Sequence, residues 1–76
     1  MWQKGTIELN GVTYLYEAKV FDNGSDFGIN KGRISKLNIR VGAEWLLNYD
    51  RGWDIRPDES NADLMNVYHQ ILEKFA

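Results

Sequence analysis

The dipeptide Asn10-Gly11 constrains the fold of this chain more than any other feature, because residues that favour strands flank it on both sides. Asparagine and glycine both tolerate a positive φ, which a two-residue type I′ hairpin turn requires. Such a turn fixes the register of the strands that it joins. Gly5 should therefore oppose Tyr16, whose aromatic ring can cover a residue that has no side chain.

The same register sorts the side chains of this first hairpin by polarity. Lys4 opposes Glu17 on one face, a pairing that opposite charge favours. Trp2 opposes Lys19 on that face, a pairing that a cation–π contact favours. The other face collects the apolar residues Ile7, Leu9, Val12, Tyr14, Tyr16, Ala18 and Val20. This separation of polar from apolar residues supports the hairpin.

A second hairpin is predicted over residues 33–50. A three-residue loop at 41–43 separates apolar from polar positions best, because it sets Ile39 opposite Trp45. Two-residue turns at the same place would pair Ile39 with a charged or mismatched residue. The three-residue loop is therefore preferred, although such loops more often carry glycine at their last position, and Gly42 is in the middle.

From Asp58 onward the apolar period changes from two to about 3.6, which indicates one amphipathic helix. Pro57 suits its first turn or its boundary, and the acidic Asp58 and Glu59 suit the positive end of a helix dipole. Ser60 with Asp63 is the alternative cap. The apolar stripe of this helix comprises Leu64, Val67, Tyr68, Ile71, Leu72 and Phe75.

These elements predict a single α+β domain over residues 1–76, a four-stranded antiparallel meander of order 1-2-3-4 with the C-terminal helix across one face. The face beneath the helix should bear Ile7, Tyr14, Leu37, Ile39, Trp45 and Leu47. The other face has no cover from within the chain and should carry, among its charges, Trp2, Leu15, Phe21, Ile34 and Leu46. An ordinary solvated face and a surface for homodimerisation or partner docking both fit this pattern.

Composition and charge exclude several classes of function. The formal net charge is −2, with acidic and basic residues mixed along the chain, so no strong field gathers phosphates nonspecifically. The chain has no cysteine and one histidine, which excludes a zinc site, and we expect no metal and no cofactor. The apolar run at residues 45–47 is far shorter than the ~20 residues of a membrane-spanning helix. Because the N-terminal residues also lack the apolar region of a signal peptide, we expect a cytoplasmic location and no membrane.

No pattern typical of an active site is present. His69 falls at the border of the helical stripe or in solvent, and the three serines have no base beside them. Asp50 and Asp54 flank Arg51, but surface ion pairing accounts for these charges. We therefore expect no enzymatic activity.

Residues 22–32 form the longest irregular stretch, and long connections in small domains are often binding loops. The first residues carry oxygen ligands but lack the glycine placement and the glutamate of a calcium loop. The second half lacks the helix N-terminus that a phosphate cradle needs. The glycines predict a flexible backbone or several positive φ values, with Phe27 and Ile29 pinning the loop to the edge of the core.

The connection that follows residue 48 is unusual because it carries Trp53. Loops run over the surface and are mostly polar, so a tryptophan there either packs into the core or binds a partner. Gly52 should supply the bend that takes the chain toward the helix. Packing beneath the first helical turn would make Trp53 a clasp between sheet and helix, and both interpretations stay open.

Two motifs, FGINKGRISKL at residues 27–37 and NYDRGWD at residues 48–54, resemble the pattern of a family of short bacterial and phage-associated proteins of unknown function. The resemblance spans nearly the whole chain. It implies a cytoplasmic protein, a mobile element as one source of the gene, and a common importance of the two loops. It implies no activity and no catalytic residue.

The sequence thus predicts a non-catalytic protein-interaction module, with self-association through the uncovered sheet face as one form of it. Aromatic and arginine side chains dominate interface energies, so the predicted contact residues are Trp53, Arg51, Phe27, Ile29 and Trp2. The alternative is a weak nucleic-acid-binding module that uses Lys31, Arg33, Arg51 and Trp53.

Overall fold

One antiparallel sheet and one helix packed across a single face of it make up the fold. The computed structural model describes residues 1–76. Its elements are β1 (Trp2–Leu9), β2 (Val12–Val20), a 3-10 turn (Ile29–Lys31), β3 (Ile34–Val41), β4 (Glu44–Asp50), β5 (Trp53–Ile55) and α1 (Ala62–Lys74). The strands lie in the order β1-β2-β3-β4-β5. The predicted α+β class, antiparallel meander and C-terminal helix are confirmed, whereas the predicted number of four strands is wrong.

The first hairpin has the turn and the register that the sequence predicts. Asn10 has a φ of 51° and Gly11 a φ of 78°, as a turn with two positive φ values requires. Every predicted pair between β1 and β2 is present, including Gly5 opposite Tyr16. A short turn with one allowed geometry therefore determines how sixteen strand positions face each other in eight pairs.

The unpredicted fifth strand is only three residues long. Trp53 pairs with Tyr49 and Ile55 pairs with Asn48, with an irregularity between the two pairs. Three residues are too few for an alternating pattern to be recognised in a sequence. Residues 53–55, which were expected to lie in a plain connection, therefore form the second edge strand of the sheet.

The second hairpin turns differently from the prediction. Gly42 and Ala43 form a two-residue turn, and Val41 pairs with Glu44. Gly42 has a φ of 57°, as the first central position of a type II′ turn requires. The three-residue loop at 41–43 was wrong because a bulge in β4, rather than a longer loop, restores the separation of polar and apolar residues.

This bulge decides the side of the sheet on which Trp45 lies. Arg40 pairs with Trp45 and Ile39 pairs with Leu47, so Leu46 is the extra residue of β4. Trp45 therefore shares a face with Arg40 and is 48% exposed, which corrects the prediction that the helix covers it. Leu46, predicted for the uncovered face, is partly buried and packs against the core.

A second bulge turns Ile34 into the core. Lys19 pairs with Lys36 and Val20 pairs with Ile34, so Ser35 is the extra residue of β3. Ile34 is buried, and the prediction that it lies on the uncovered face was wrong. An alternation counted along β3 fails here because a bulge places two successive residues opposite one.

The helix begins later than either predicted start. Asn61 is its N-cap, and Asn61 Oδ1 accepts a hydrogen bond from the Leu64 N–H at 3.0 Å. Starts at Pro57 or Ser60 were wrong, because Asp58 forms a separate turn before the helix. Asp58 Oδ1 accepts hydrogen bonds from the Ser60 N–H at 3.0 Å and from the Ser60 hydroxyl at 2.6 Å.

The apolar stripe predicted for the helix is confirmed, and it completes one hydrophobic core. Its buried members are Leu64, Val67, Tyr68 and Ile71, and its partly buried members are Leu72 and Phe75. The sheet and the long loop contribute Tyr14, Tyr16, Ala18, Val20, Ile29, Ile34, Leu37, Ile39, Leu47 and Tyr49. The α-helix is neither long enough nor apolar enough to cross a membrane.

Substitution of Gly5 tests the first hairpin. A Cβ at this position would lie 2.5 Å from the hydroxyl oxygen and 2.7 Å from two ring carbons of Tyr16. The Tyr16 side chain is buried and contacts Phe75 edge to face, so it cannot move away freely. We expect Gly5→Val to lower the free energy of unfolding by about 1–3 kcal/mol in urea denaturation.

Gly52→Ala is the matched control, because a Cβ at Gly52 meets no atom within 4 Å. We expect this variant to unfold like the wild type or to gain up to about 1 kcal/mol. Equal stability of Gly5→Val and the wild type would contradict the close contact with Tyr16.

Open face and basic groove as candidate binding sites

The face of the sheet that α1 leaves uncovered, here called the open face, carries most of the exposed large apolar side chains. Trp2 is 50% exposed and lies opposite Lys19 at one end of this face. Trp45 lies at the other end, three strands away. Ile55 is also exposed and lies opposite Asn48, on the same face. Because aromatic side chains are enriched in protein interfaces, this face is one candidate contact surface.

Trp53 packs on the helix side of the sheet rather than on the open face. Its ring centroid is 5.0 Å from that of Tyr49 and 6.0 Å from that of Tyr68, both in edge-to-face geometry. The Arg56 guanidinium lies over the same ring at 5.8 Å. With these neighbours on several sides, Trp53 joins β4 and β5 to α1. Of the two interpretations that the sequence left open, this packing corresponds to the clasp between sheet and helix.

Arg51 adopts a backbone conformation that is uncommon for a long side chain, with a φ of 54°. Its N–H donates to the Ser35 carbonyl at 2.9 Å, and the Asp50 N–H donates to the Gly52 carbonyl at 2.8 Å. These bonds hold the turn between β4 and β5. The residue of this turn with a positive φ is Arg51, whereas the sequence led us to expect the bend at Gly52. The guanidinium stays exposed at the end of the sheet.

The long loop is tightly folded, and its positive φ values fall at Asn30 and Lys31 rather than at its glycines. A Cβ on Gly28 would collide with the Gly32 carbonyl, so the backbone approaches itself too closely for any side chain there. Ile29 is only 5% exposed and belongs to the core, which leaves it inaccessible to a partner. Phe27 is 61% exposed, while the Tyr49 hydroxyl donates to its carbonyl at 2.8 Å. The loop therefore fixes one predicted contact residue in the interior and presents the other to solvent.

A concave site, here called the basic groove, lies where this loop meets the β4–β5 turn and the open face. Its volume is about 360 Å³. The lining residues are Lys19, Phe21, Ser25, Phe27, Ser35, Lys36 and Arg51. Three cations, two phenyl rings and two hydroxyl groups thus surround one cavity.

The charges in the basic groove are only partly neutralised. Lys19 and Lys36 are directly opposite each other on adjacent strands, a like-charge pair that destabilises a sheet. The neighbouring carboxylate is Asp50, with Oδ1 at 3.6 Å from Lys36 Nζ and 4.0 Å from Arg51 Nε. The Lys19 ammonium instead lies over the Phe21 ring at 5.4 Å, rather than over Trp2 as predicted. Three cations against one carboxylate leave an excess of positive charge.

Arg51 and Phe27 were among the predicted contact residues and line this groove, whereas Lys19 and Lys36 were not among them. Lys19 and Lys36 are 17 residues apart, and their pairing depends on the β2–β3 register, which no short turn fixes. If the β2–β3 register were known, two lysines opposite each other would indicate an anion-binding site, because such a pair is otherwise unfavourable.

The four residues of the nucleic-acid alternative do not share one cavity. Lys31 and Arg33 line a different depression, next to Phe75 at the end of α1. The Arg33 side chain is occupied, because its Nε donates to the Phe21 carbonyl at 2.8 Å and its Nη1 to the Ala76 carbonyl at 3.0 Å. No group of three or more histidine, cysteine or acidic side chains is placed to hold a metal ion.

Truncation of the clasp tests the role of Trp53. We expect Trp53→Ala to lower the free energy of unfolding by about 2–3 kcal/mol, because the ring is partly buried between Tyr49 and Tyr68. Trp45→Ala is the matched control and should cost less than about 1 kcal/mol. Urea denaturation followed by circular dichroism measures both, and equal losses would argue against the clasp.

The ionisation of Tyr68, which packs against Trp53, makes the stability of the folded protein depend on pH. Burial raises the pKa of Tyr68 above its ordinary value of 10.0, and the nearby Tyr49 raises it further. The folded protein thus holds this proton more tightly than the unfolded chain does. We expect its contribution to stability to be complete below about pH 10 and to be lost as the pH rises through the raised pKa. Unfolding measured across alkaline pH should show this fall in the wild type and a smaller one in Tyr68→Phe.

Comparison with known proteins gives a family but no function. No curated protein and no solved structure matches this chain. One family model matches residues 1–76, the full length, and its description assigns no activity. This agrees with the expected likeness to uncharacterised proteins. The chain therefore belongs to the family Domain of unknown function (DUF7678).

Proposed function

We propose that this protein is a non-catalytic interaction module whose open face binds a protein partner, the simplest being a second copy of the chain. The observation that carries this proposal is the placement of the exposed large apolar side chains. Trp2, Phe21, Trp45 and Ile55 all belong to the open face by register or strand alternation. The helix shields the opposite face, so the sheet has one free surface for contact.

The positions of the two tryptophans favour self-association. Trp2 begins β1 and Trp45 lies near the start of β4, so they occupy diagonally opposite corners of the open face. A two-fold axis between two such faces, perpendicular to this diagonal, places Trp2 of each copy over Trp45 of the other. The contact between Trp2 and Trp45 then occurs twice, as in an isologous dimer.

The area of the open face limits how tightly two copies of the chain are expected to associate. The four long strands, about 4.8 Å apart with about eight residues of 3.3 Å rise each, give a projected area of about 500 Å², to which the three-residue β5 adds little. A standard interface buries about 800 Å² on each partner. We therefore expect weak, concentration-dependent association rather than a permanent dimer.

Sedimentation velocity over a wide concentration range tests this proposal. The wild type should sediment faster as its concentration rises, and a variant with both Trp2→Ser and Trp45→Ser should remain monomeric. Gln70→Ala, on the exposed surface of α1, is the control and should behave like the wild type. A monomeric wild type at the highest concentration, or association that survives the double substitution, would rule out self-association through the open face.

The bacterial and phage-associated resemblance of residues 27–37 and 48–54 supports placing this module in the cytoplasm of a bacterial cell. The absence of cysteine is compatible with a reducing compartment. The nucleic-acid alternative, in the form that uses Lys31, Arg33, Arg51 and Trp53, receives no support from the geometry, because two of these side chains are engaged within the fold.

A further inference from the structure

We propose that the basic groove binds one nucleoside phosphate unit, either free or within single-stranded nucleic acid. The phosphate would lie among Lys19, Lys36 and Arg51, and the base would lie against Phe27. The groove lies at the Trp2 end of the open face, because Lys19 is opposite Trp2 and Phe21 belongs to both surfaces, but it does not include Trp45. Ligand titration measures this site and sedimentation measures self-association, so either proposal can fail alone.

The lysine pair carries the phosphate part of this inference. Two lysines directly opposite each other on adjacent strands repel, and a bound anion between them would turn this repulsion into attraction. Asp50 is shared by Lys36 and Arg51, whereas no carboxylate lies within ion-pair distance of Lys19. Asp22 and Asp26, in the adjoining loop, do not line the groove. The groove is therefore a local positive site on a chain of net negative charge.

The hydroxyl groups of the groove add donors for phosphate oxygens. Ser25 Oγ accepts a hydrogen bond from the Phe27 N–H at 3.2 Å, which leaves the hydroxyl proton free to donate. Ser35 Oγ has a long contact of 3.5 Å to the Lys19 carbonyl, which a stronger acceptor can replace. Lysine, arginine and serine together form a typical phosphate-binding set.

The phenyl rings carry the base part of the inference. Phe27 is largely exposed, although hydrogen bonds through its N–H and carbonyl hold its backbone. Such a fixed, exposed ring can stack on a base without losing much conformational freedom. The Lys19 ammonium already lies over the Phe21 ring, so Phe27 is the freer of the two platforms.

The dimensions limit the ligand to one nucleotide at a time. A volume of about 360 Å³ is near the lower end of small-molecule sites, which run from about 300 to 1,000 Å³. Three cations can contact a few phosphates, and not the long backbone track of a duplex-binding protein. An acidic peptide would satisfy the cations but leave the exposed Phe27 ring without a planar partner.

Binding titrations at low salt test this inference with four probes: adenosine monophosphate, inorganic phosphate, a short fluorescein-labelled oligodeoxyadenylate and a labelled oligoglutamate of similar length. We expect the nucleotide and the oligonucleotide to bind more tightly than phosphate or oligoglutamate. The logarithm of oligonucleotide affinity should fall with the logarithm of salt concentration, with a slope of about −2 for three contacts. Saturable binding of the mononucleotide identifies a single-unit site, whereas binding of the oligonucleotide alone identifies the strand as the ligand.

Three variants assign the binding to the groove. We expect Lys19→Gln to weaken nucleotide binding roughly tenfold and to leave the protein at least as stable, because it removes the repulsion from Lys36. Phe27→Leu should weaken nucleotide binding and leave phosphate binding unchanged. Lys4→Gln is the control, since Lys4 lies on the open face outside the groove and pairs with Glu17 at 3.6 Å. It should bind like the wild type.

Several outcomes would overturn the inference. Absence of nucleotide and oligonucleotide binding at low salt would remove the site. Equal losses in Lys19→Gln and Lys4→Gln would show a general charge effect without a groove. Oligoglutamate binding as tight as oligonucleotide binding, and equally lost in Lys19→Gln, would make the ligand an acidic peptide. Thermal unfolding of each variant shows that a lost affinity does not reflect a lost fold.

Discussion

A single helix of 13 residues has to bury one face of a five-stranded sheet, and the remainder of the structure depends on this constraint. The strands keep their apolar side chains on that face even where a strict alternation would turn them away. Bulges at Ser35 and Leu46 absorb the mismatch by adding one residue to a strand. Trp53 connects the last strand to the helix, because its ring packs between Tyr49 of the sheet and Tyr68 of the helix. One face is therefore dry and continuous, and the other is left to solvent or to a partner.

The features that the sequence predicted correctly are those with short-range causes. Asn10 and Gly11 determine their turn by local backbone preference, and the register of β1 and β2 follows from the turn. The helical stripe follows from a period that repeats over several turns. The bulges are different, because they depend on how two distant segments match, and no local pattern marks the extra residue. The same reason explains why Ile34 and Trp45 were assigned to the wrong faces.

The candidate sites show the same division between local and distant causes. Arg51 and Phe27 attracted attention as an arginine and an aromatic residue in loops, and both line the basic groove. No local pattern in the sequence marks Lys19 and Lys36 as a pair, because only the β2–β3 register places them opposite each other. Ile29 and Trp53 had the residue types of contact residues, but the fold uses them for its own packing. Residue type alone did not separate the two roles, because large apolar side chains stabilise cores and interfaces by the same burial.

The strand order has a consequence for how the chain reaches its native state. Every strand pairs with its neighbour in sequence, so each pairing closes a short stretch of chain. Sheets of this kind have low contact order and fold faster than sheets with distant pairings. The contacts between residues farthest apart in sequence involve the helix, such as the hydrogen bonds from the Asn10 side-chain amide to the Asp63 carboxylate, across 53 positions of sequence. We therefore expect the sheet to grow progressively from its first hairpin, with the docking of the helix as the late step that makes folding cooperative.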